Sequence, residues 1–178
     1  MRYSMSSQVL ILLGSHSDQK LTEKGLNFLK ETGIHHSLRI ASAHRSFFFL
    51  HDIVKKFEQE DGKVVICVAG KSAHLGGVVA AITTKPVLCV PVYNPETSGL
   101  DSLLSMSQMP GGIPTATMGF GNSGFLNACL QATQILALNS PELEQKMQNY
   151  RKILEENVRQ SDSEHHILFE AKRHGDSY

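Results

Sequence analysis

The chain has 178 residues, of which 41% are hydrophobic, with 17 Lys plus Arg balanced by 17 Asp plus Glu and nine His. That is one domain's length with enough apolar content for a core, which excludes a disordered chain. A formal net charge of zero removes the basic field that nucleic acid or an anionic membrane requires, and no apolar run approaches the roughly 18 residues of a membrane span.

Residues 8–13 (QVLILL) are a short apolar run ending at Gly14, which predicts a first strand rather than a secretion signal. Residues 20–32 place Leu21, Leu26, Phe28 and Leu29 on a helical face, and Gly33 is a C-cap. His36–Ile40 reads as a second strand, with Leu38 and Ile40 on one face. Phe47–Gln59 reads as a second helix through Phe49, Leu50, Ile53, Val54 and Phe57, followed by an Asp61-Gly62 turn. Residues 63–68 are a third strand, 74–82 a small-residue helix and 86–91 a fourth strand. Repeated strand–loop–helix units predict an α/β domain with a parallel sheet and right-handed crossovers. Ligands of such sheets sit at the carboxyl ends of the strands, which directs attention to loops 14–18, 42–46, 69–73 and 92–101.

The second half is richer in turns, with five of the six Pro between Pro86 and Pro114. Residues 115–118 suggest a fifth strand, and 124–138 a helix too apolar to stand away from the sheet. Ser140-Pro141 opens a last helix in cap-then-Pro order. Its stripe is Leu143, Met147, Tyr150, Leu154 and Val158, and its other face carries four acids and four bases through Gln160. Residues 1–160 are expected to form one domain, and the polar residues 161–178 a partly ordered tail. From 64 to 124 the only charged residues are Lys71, Lys85, Glu96 and Asp101. Buried parallel strands explain part of that segment, but its turn-rich portion belongs at a surface. An uncharged surface points to subunit contact and a homo-oligomer.

Three loops carry groups that do chemistry. Gly14-Ser15-His16-Ser17-Asp18 offers two hydroxyls and a helix N-terminus to a phosphate, and a carboxylate to sugar hydroxyls. It is neither GxGxxG nor a Walker loop, and capping by Ser17 or Asp18 is the plainer alternative. Ser42-Ala43-His44-Arg45-Ser46 offers a guanidinium fork and an imidazole, the side chain suited to moving protons near neutral pH, unless both are ordinary surface residues. Ala69-Gly70-Lys71-Ser72-Ala73-His74-Leu75 lets backbone approach a ligand and adds a second imidazole, which alone reads as a capping or core histidine. No carboxylate or thiolate cluster joins these loops, so no metal is expected. Cys67, Cys89 and Cys129 stand singly and read as buried small hydrophobes, neither disulfides nor a zinc site. His35, His36, His51, His165, His166 and His174 are given no role.

At these loops the chain resembles the bacterial PurE family of purine biosynthesis. The matching motifs are GSHSD (14–18), SAHRS (42–46), AGKSAHL (69–75) and SGLDSLLSMSQMPGGIPTATMGFGNSGFLNACLQATQIL (98–136), and the resemblance runs from about residue 8 to residue 159. It implies a three-layer α/β/α sandwich with a flavodoxin-like parallel sheet and a C-terminal helix extension. It also implies a homo-octamer with active sites at subunit contacts, and an enzyme without biotin, metal, ATP or other cofactor; a soluble, cytoplasmic protein is the expectation from composition. One branch is N5-carboxyaminoimidazole ribonucleotide mutase; the other carboxylates aminoimidazole ribonucleotide directly with CO2. Carried over residue by residue, His44 is the general acid/base and Arg45 the phosphate ligand. Ser15 and Asp18 belong to the substrate-binding loop, and Gly70, His74 and Leu75 to the loop over the imidazole. His74 is taken as a second catalytic group, and Ser17, Ser42, Ala43, Lys71 and Ser72 complete the expected substrate-binding set. SAHR, AHL and DSLLS…QMPGGIP resemble the mutase branch. Lys71-Ser72 resembles the Arg-Ser of the carboxylase branch, Gly76 stands where Pro is usual, and Ser46-Phe47 replaces Thr-Pro. The expected function is the mutase, with a small ribonucleotide as partner and functional coupling to the upstream ATP-dependent synthetase. The alternatives are the direct carboxylase, a non-catalytic nucleotide-binding regulator, and a flavin carrier, which the lack of aromatic residues in the ligand loops disfavours.

Overall fold

Successive side chains of a strand point to opposite faces, and here both sets are apolar, so the sheet must be covered on both sides. A computed structural model describes residues 7–168 and shows how this is met. Strands β1 (Val9–Leu13), β2 (His36–Ile40), β3 (Val64–Gly70), β4 (Val87–Val92) and β5 (Ala116–Thr117) form one parallel sheet in the order β2-β1-β3-β4-β5. The helices are α1 (Glu23–Thr32), α2 (Phe47–Gln59), α3 (Leu75–Ile82), α4 (Leu100–Ser107), α5 (Gly121–Ala137) and α6 (Pro141–His165). Val9, Ile11, Leu13, Val64, Ile66 and Val68 pack on one side with Leu29 of α1, Phe125 and Cys129 of α5, and Leu143 and Met147 of α6. Leu10, Leu12, Val65 and Cys67 pack on the other with Leu50 and Val54 of α2, Val79 of α3 and Met106 of α4. This is a three-layer, flavodoxin-like α/β/α arrangement. The strand order reverses between β1 and β3, which is where such sheets place ligands.

Several boundaries differ from the sequence expectation. The first strand leads into a 3-10 turn over His16–Leu21, and α1 begins only at Glu23. The α1 N-terminus is therefore not at the first ligand loop. Helix α4 has no counterpart in the sequence reading. Helix α5 starts three residues early, at Gly121. Helix α6 continues to His165, and its stripe leaves the body of the domain: Leu143 and Met147 are buried, whereas Leu154 and Val158 are exposed. The expected tail enters the description only as the end of that helix and residues 166–168; the remainder, with His174, lies outside the described residues. No helix among the described residues is long and apolar enough to cross a membrane.

Candidate active site

The carboxyl ends of β1 to β4 border one cleft of about 860 Å³. Its first wall is the loop after β1. Ser15 caps the 3-10 turn, its hydroxyl accepting from the Ser17 N–H at 3.3 Å and the Ser17 hydroxyl at 2.9 Å. Asp18 closes the reciprocal half of this capping box, accepting the Ser15 N–H on Oδ2 at 3.1 Å. The Asp18 side chain is buried, and that burial pushes its pKa up, outweighing the opposing pull of the Ser15 and Ser17 hydrogen bonds and of Lys20. The plainer capping reading of this loop is thus satisfied, with Ser15 rather than Ser17 as the cap.

The second wall follows β2. The Ser46 hydroxyl accepts from the Ser42 N–H at 2.9 Å, and the Ser42 hydroxyl from the Arg45 N–H at 3.3 Å. The two serines close the loop on itself and leave His44 and Arg45 exposed at its tip.

The third wall follows β3. Lys71 is in the left-handed region, with φ of 58°, a conformation that disfavours any residue with a Cβ. Ala73 is buried, and the His74 N–H donates to the Ser72 carbonyl at 2.8 Å, so His74 is set as the residue before α3. Its ring meets the second wall. His44 Nε2 and His74 Nδ1 are hydrogen-bonded at 2.8 Å, with the rings 76° apart and their centroids at 4.9 Å. Helix α3 lies so close to the sheet that a Cβ on Gly76 would sit 2.1 Å from Cys89 Sγ. A chain with Cys at 89 has no room for a side chain at 76, which accounts for glycine there.

The fourth wall is the end of β4, lined by Val92, Tyr93, Asn94 and Pro95. Asn94 Oδ1 accepts from the Glu96 N–H at 3.2 Å, and Nδ2 donates to Asp101 Oδ2 at 2.8 Å. The Asn94 amide holds the Asp101 carboxyl below its usual range. The Tyr93 ring stands edge-on to Phe120.

Every residue expected at the site borders this cleft: Ser15, Ser17, Asp18, Ser42, Ala43, His44, Arg45, Gly70, Lys71, Ser72, His74 and Leu75. The sequence reading flagged the loop after β4 but singled out no residue in it. The signal available was Asn94-Pro95, a turn opener followed seven residues after Asn94 by Asp101. The cysteines are all buried away from the cleft, and burial pushes the Cys89 and Cys129 thiols up to about 12 and raises Cys67 as well. Thiolate nucleophiles are therefore absent from these positions near neutral pH. The cleft has one carboxylate, two fixed cations on separate loops and a joined pair of imidazoles, a set suited to holding an anion and relaying a proton.

Residues 8–157 match the family described as AIR carboxylase. The chain belongs to the AIR carboxylase (PurE) family. It is 44% identical over 161 residues to the Methanocaldococcus jannaschii protein named N5-carboxyaminoimidazole ribonucleotide mutase, covering 90% of this chain and 99% of that one. The Bacillus subtilis protein of the same name is 38% identical over 88% of this chain and 97% of its own length. Among solved structures, PurE of Treponema denticola superimposes with a TM-score of 0.82 at 30% identity, covering 89% of this chain and 98% of that one. The family relationship thus spans the sheet, all four cleft walls and most of α6.

Proposed function

We propose that this AIR carboxylase family member is an N5-carboxyaminoimidazole ribonucleotide mutase, an isomerase of purine biosynthesis that moves a carboxylate from the exocyclic nitrogen to C4 of the imidazole. The observation that carries the reading is the 2.8 Å His44–His74 hydrogen bond beside Arg45, in a chain 44% identical to a protein of that name. Arg45 receives the phosphate through its fork. Asp18 accepts the Ser15 N–H on Oδ2 and the Ser17 hydroxyl on Oδ1 at 3.4 Å, and keeps its remaining lone pairs for ribose hydroxyls.

The reaction is balanced in protons. Cleavage of the carbamate N–C bond releases CO2 and puts one proton on the exocyclic nitrogen. C4 then attacks CO2, forming the new C–C bond, and loses one proton as aromaticity returns. His44 supplies the first proton and recovers the second. The bond to His74 orients its ring and lets charge spread over two imidazoles. One ring must donate and the other accept, so in the neutral pair one N–H lies between them. CO2 has to stay in the cleft between the two half-reactions, and exclusion of water favours decarboxylation of the anionic carbamate.

Closure comes from assembly as a homo-octamer in the cytoplasm. Exposed Tyr93, Leu100 and Leu104, on and just after the fourth wall, support subunit contact there. A stable monomer by light scattering at micromolar concentration would refute that part. Direct carboxylation of aminoimidazole ribonucleotide is the second reading, favoured only by the likeness of Lys71-Ser72 to the Arg-Ser of the carboxylase branch. Label exchange separates retention from escape. Turnover of the carbamate substrate in labelled bicarbonate leaves the product unlabelled if CO2 is held, and full labelling of the product contradicts the proposal.

A further inference from the structure

The cleft has two fixed cations, Arg45 on the loop after β2 and Lys71 on the loop after β3, with the joined His44 and His74 rings on the same two loops. A carboxylated ribonucleotide has two anionic groups at opposite ends, a phosphate and a carboxylate. One cation per anion is the simplest match of charge to charge.

Lys71 is free for this task. None of the ion pairs among the described residues involves it. The cleft's one carboxylate, Asp18, is turned into its own capping box. Lys71 is also held at φ 58°, where glycine is unstrained and a side chain is not. A strained non-glycine residue in a ligand loop is a common mark of function. The chemistry of the side chain suits the reaction as well. An ammonium on a flexible four-carbon stem can follow a carboxylate that changes its point of attachment, whereas a guanidinium fork fixes one geometry.

We propose that Lys71 recognises the migrating carboxylate and makes the cleft prefer carboxylated ribonucleotides over the uncarboxylated one. The proposal rests on the mutase reading and names a specificity residue within it.

The test is calorimetric titration of the purified full-length protein with two ligands, 4-carboxy-5-aminoimidazole ribonucleotide and 5-aminoimidazole ribonucleotide. Wild type is expected to bind the carboxylated ligand at least tenfold more tightly. Lys71→Ala is expected to lose about tenfold in affinity for the carboxylated ligand and to stay within twofold for the other, a loss typical of one charge-assisted hydrogen bond. Lys71→Arg restores most of the difference. Lys71→Gly removes the left-handed strain as well as the charge, so it shows the same selective loss with a raised melting temperature. That separates recognition from misfolding. Equal weakening of both ligands places Lys71 on the phosphate and overturns the proposal, as does no change in either. Wild type binding neither ribonucleotide overturns the mutase reading, and the proposal with it.

Discussion

His44 Nε2 and His74 Nδ1 lie 2.8 Å apart although 30 residues separate them in the chain, so one hydrogen bond ties the loop after β2 to the start of α3. Ser42 and Ser46 hold the first ring's loop, and the packing of α3 on the sheet holds the second. The pair is built by two rigid supports rather than by one flexible loop.

His44→Asn keeps a side chain of similar reach but removes the acid/base group. Turnover is expected to fall by about 10²–10⁴-fold, the usual worth of a general acid/base, with nucleotide affinity nearly unchanged. His74→Asn is expected to fall less, and the double variant no further than His44→Asn, because the second ring acts through the first. Steady-state kinetics and calorimetry check this. Additive losses in the double variant would mean that the two rings act independently.

Asp18 is retained at a cost in stability. Burial raises its pKa above 3.8, so above both the folded and unfolded values the folded state bears the charge's desolvation. Below both values the carboxyl is neutral in each state and the cost is gone. Asp18→Asn keeps an acceptor for the Ser15 N–H and removes the charge. It is expected to melt at or above the wild-type temperature at pH 7, with the gap closing as the pH falls toward 4, while ribonucleotide affinity drops. A variant melting several degrees lower at pH 7 would show that the carboxylate itself stabilises the turn.

Much of this was legible in the sequence because the signals were local. Continuous apolar runs marked β1, β3 and β4, Leu38 and Ile40 on one face marked β2, and Gly14, Ser42 and Gly70 marked the loops at the carboxyl ends of β1 to β3. Helix α4 was not legible, since Ser102, Ser105 and Ser107 blur its apolar pattern. The Ser105 and Ser107 hydroxyls bond back one turn to the carbonyls of Asp101 and Leu103, and Ser102 reaches outside the helix to the carbonyl of Val92. The strain at Lys71 and the contact between Gly76 and Cys89 are likewise tertiary facts that no spacing encodes.

The contact between positions 76 and 89 gives a paired prediction. Gly76→Ala forces a methyl against Cys89 Sγ and is expected to destabilise the fold by about 1–3 kcal/mol, the range for overpacking. Cys89→Ala removes the sulfur, leaving Cys89 Cβ at 3.6 Å from the new methyl, an ordinary contact. Gly76→Ala in that background should then cost much less. Chemical denaturation of the four proteins in the cycle measures the coupling, and equal costs of Gly76→Ala in both backgrounds would contradict the steric account.

The central claim is that this cleft moves a carboxylate within one ribonucleotide. The direct measurement follows formation of 4-carboxy-5-aminoimidazole ribonucleotide by the purified protein from two separate substrates. One is fresh N5-carboxyaminoimidazole ribonucleotide without added bicarbonate, and the other is aminoimidazole ribonucleotide with bicarbonate. Rapid product from the first alone is the expected result. Rapid product from the second alone would contradict the mutase and make the chain a direct carboxylase.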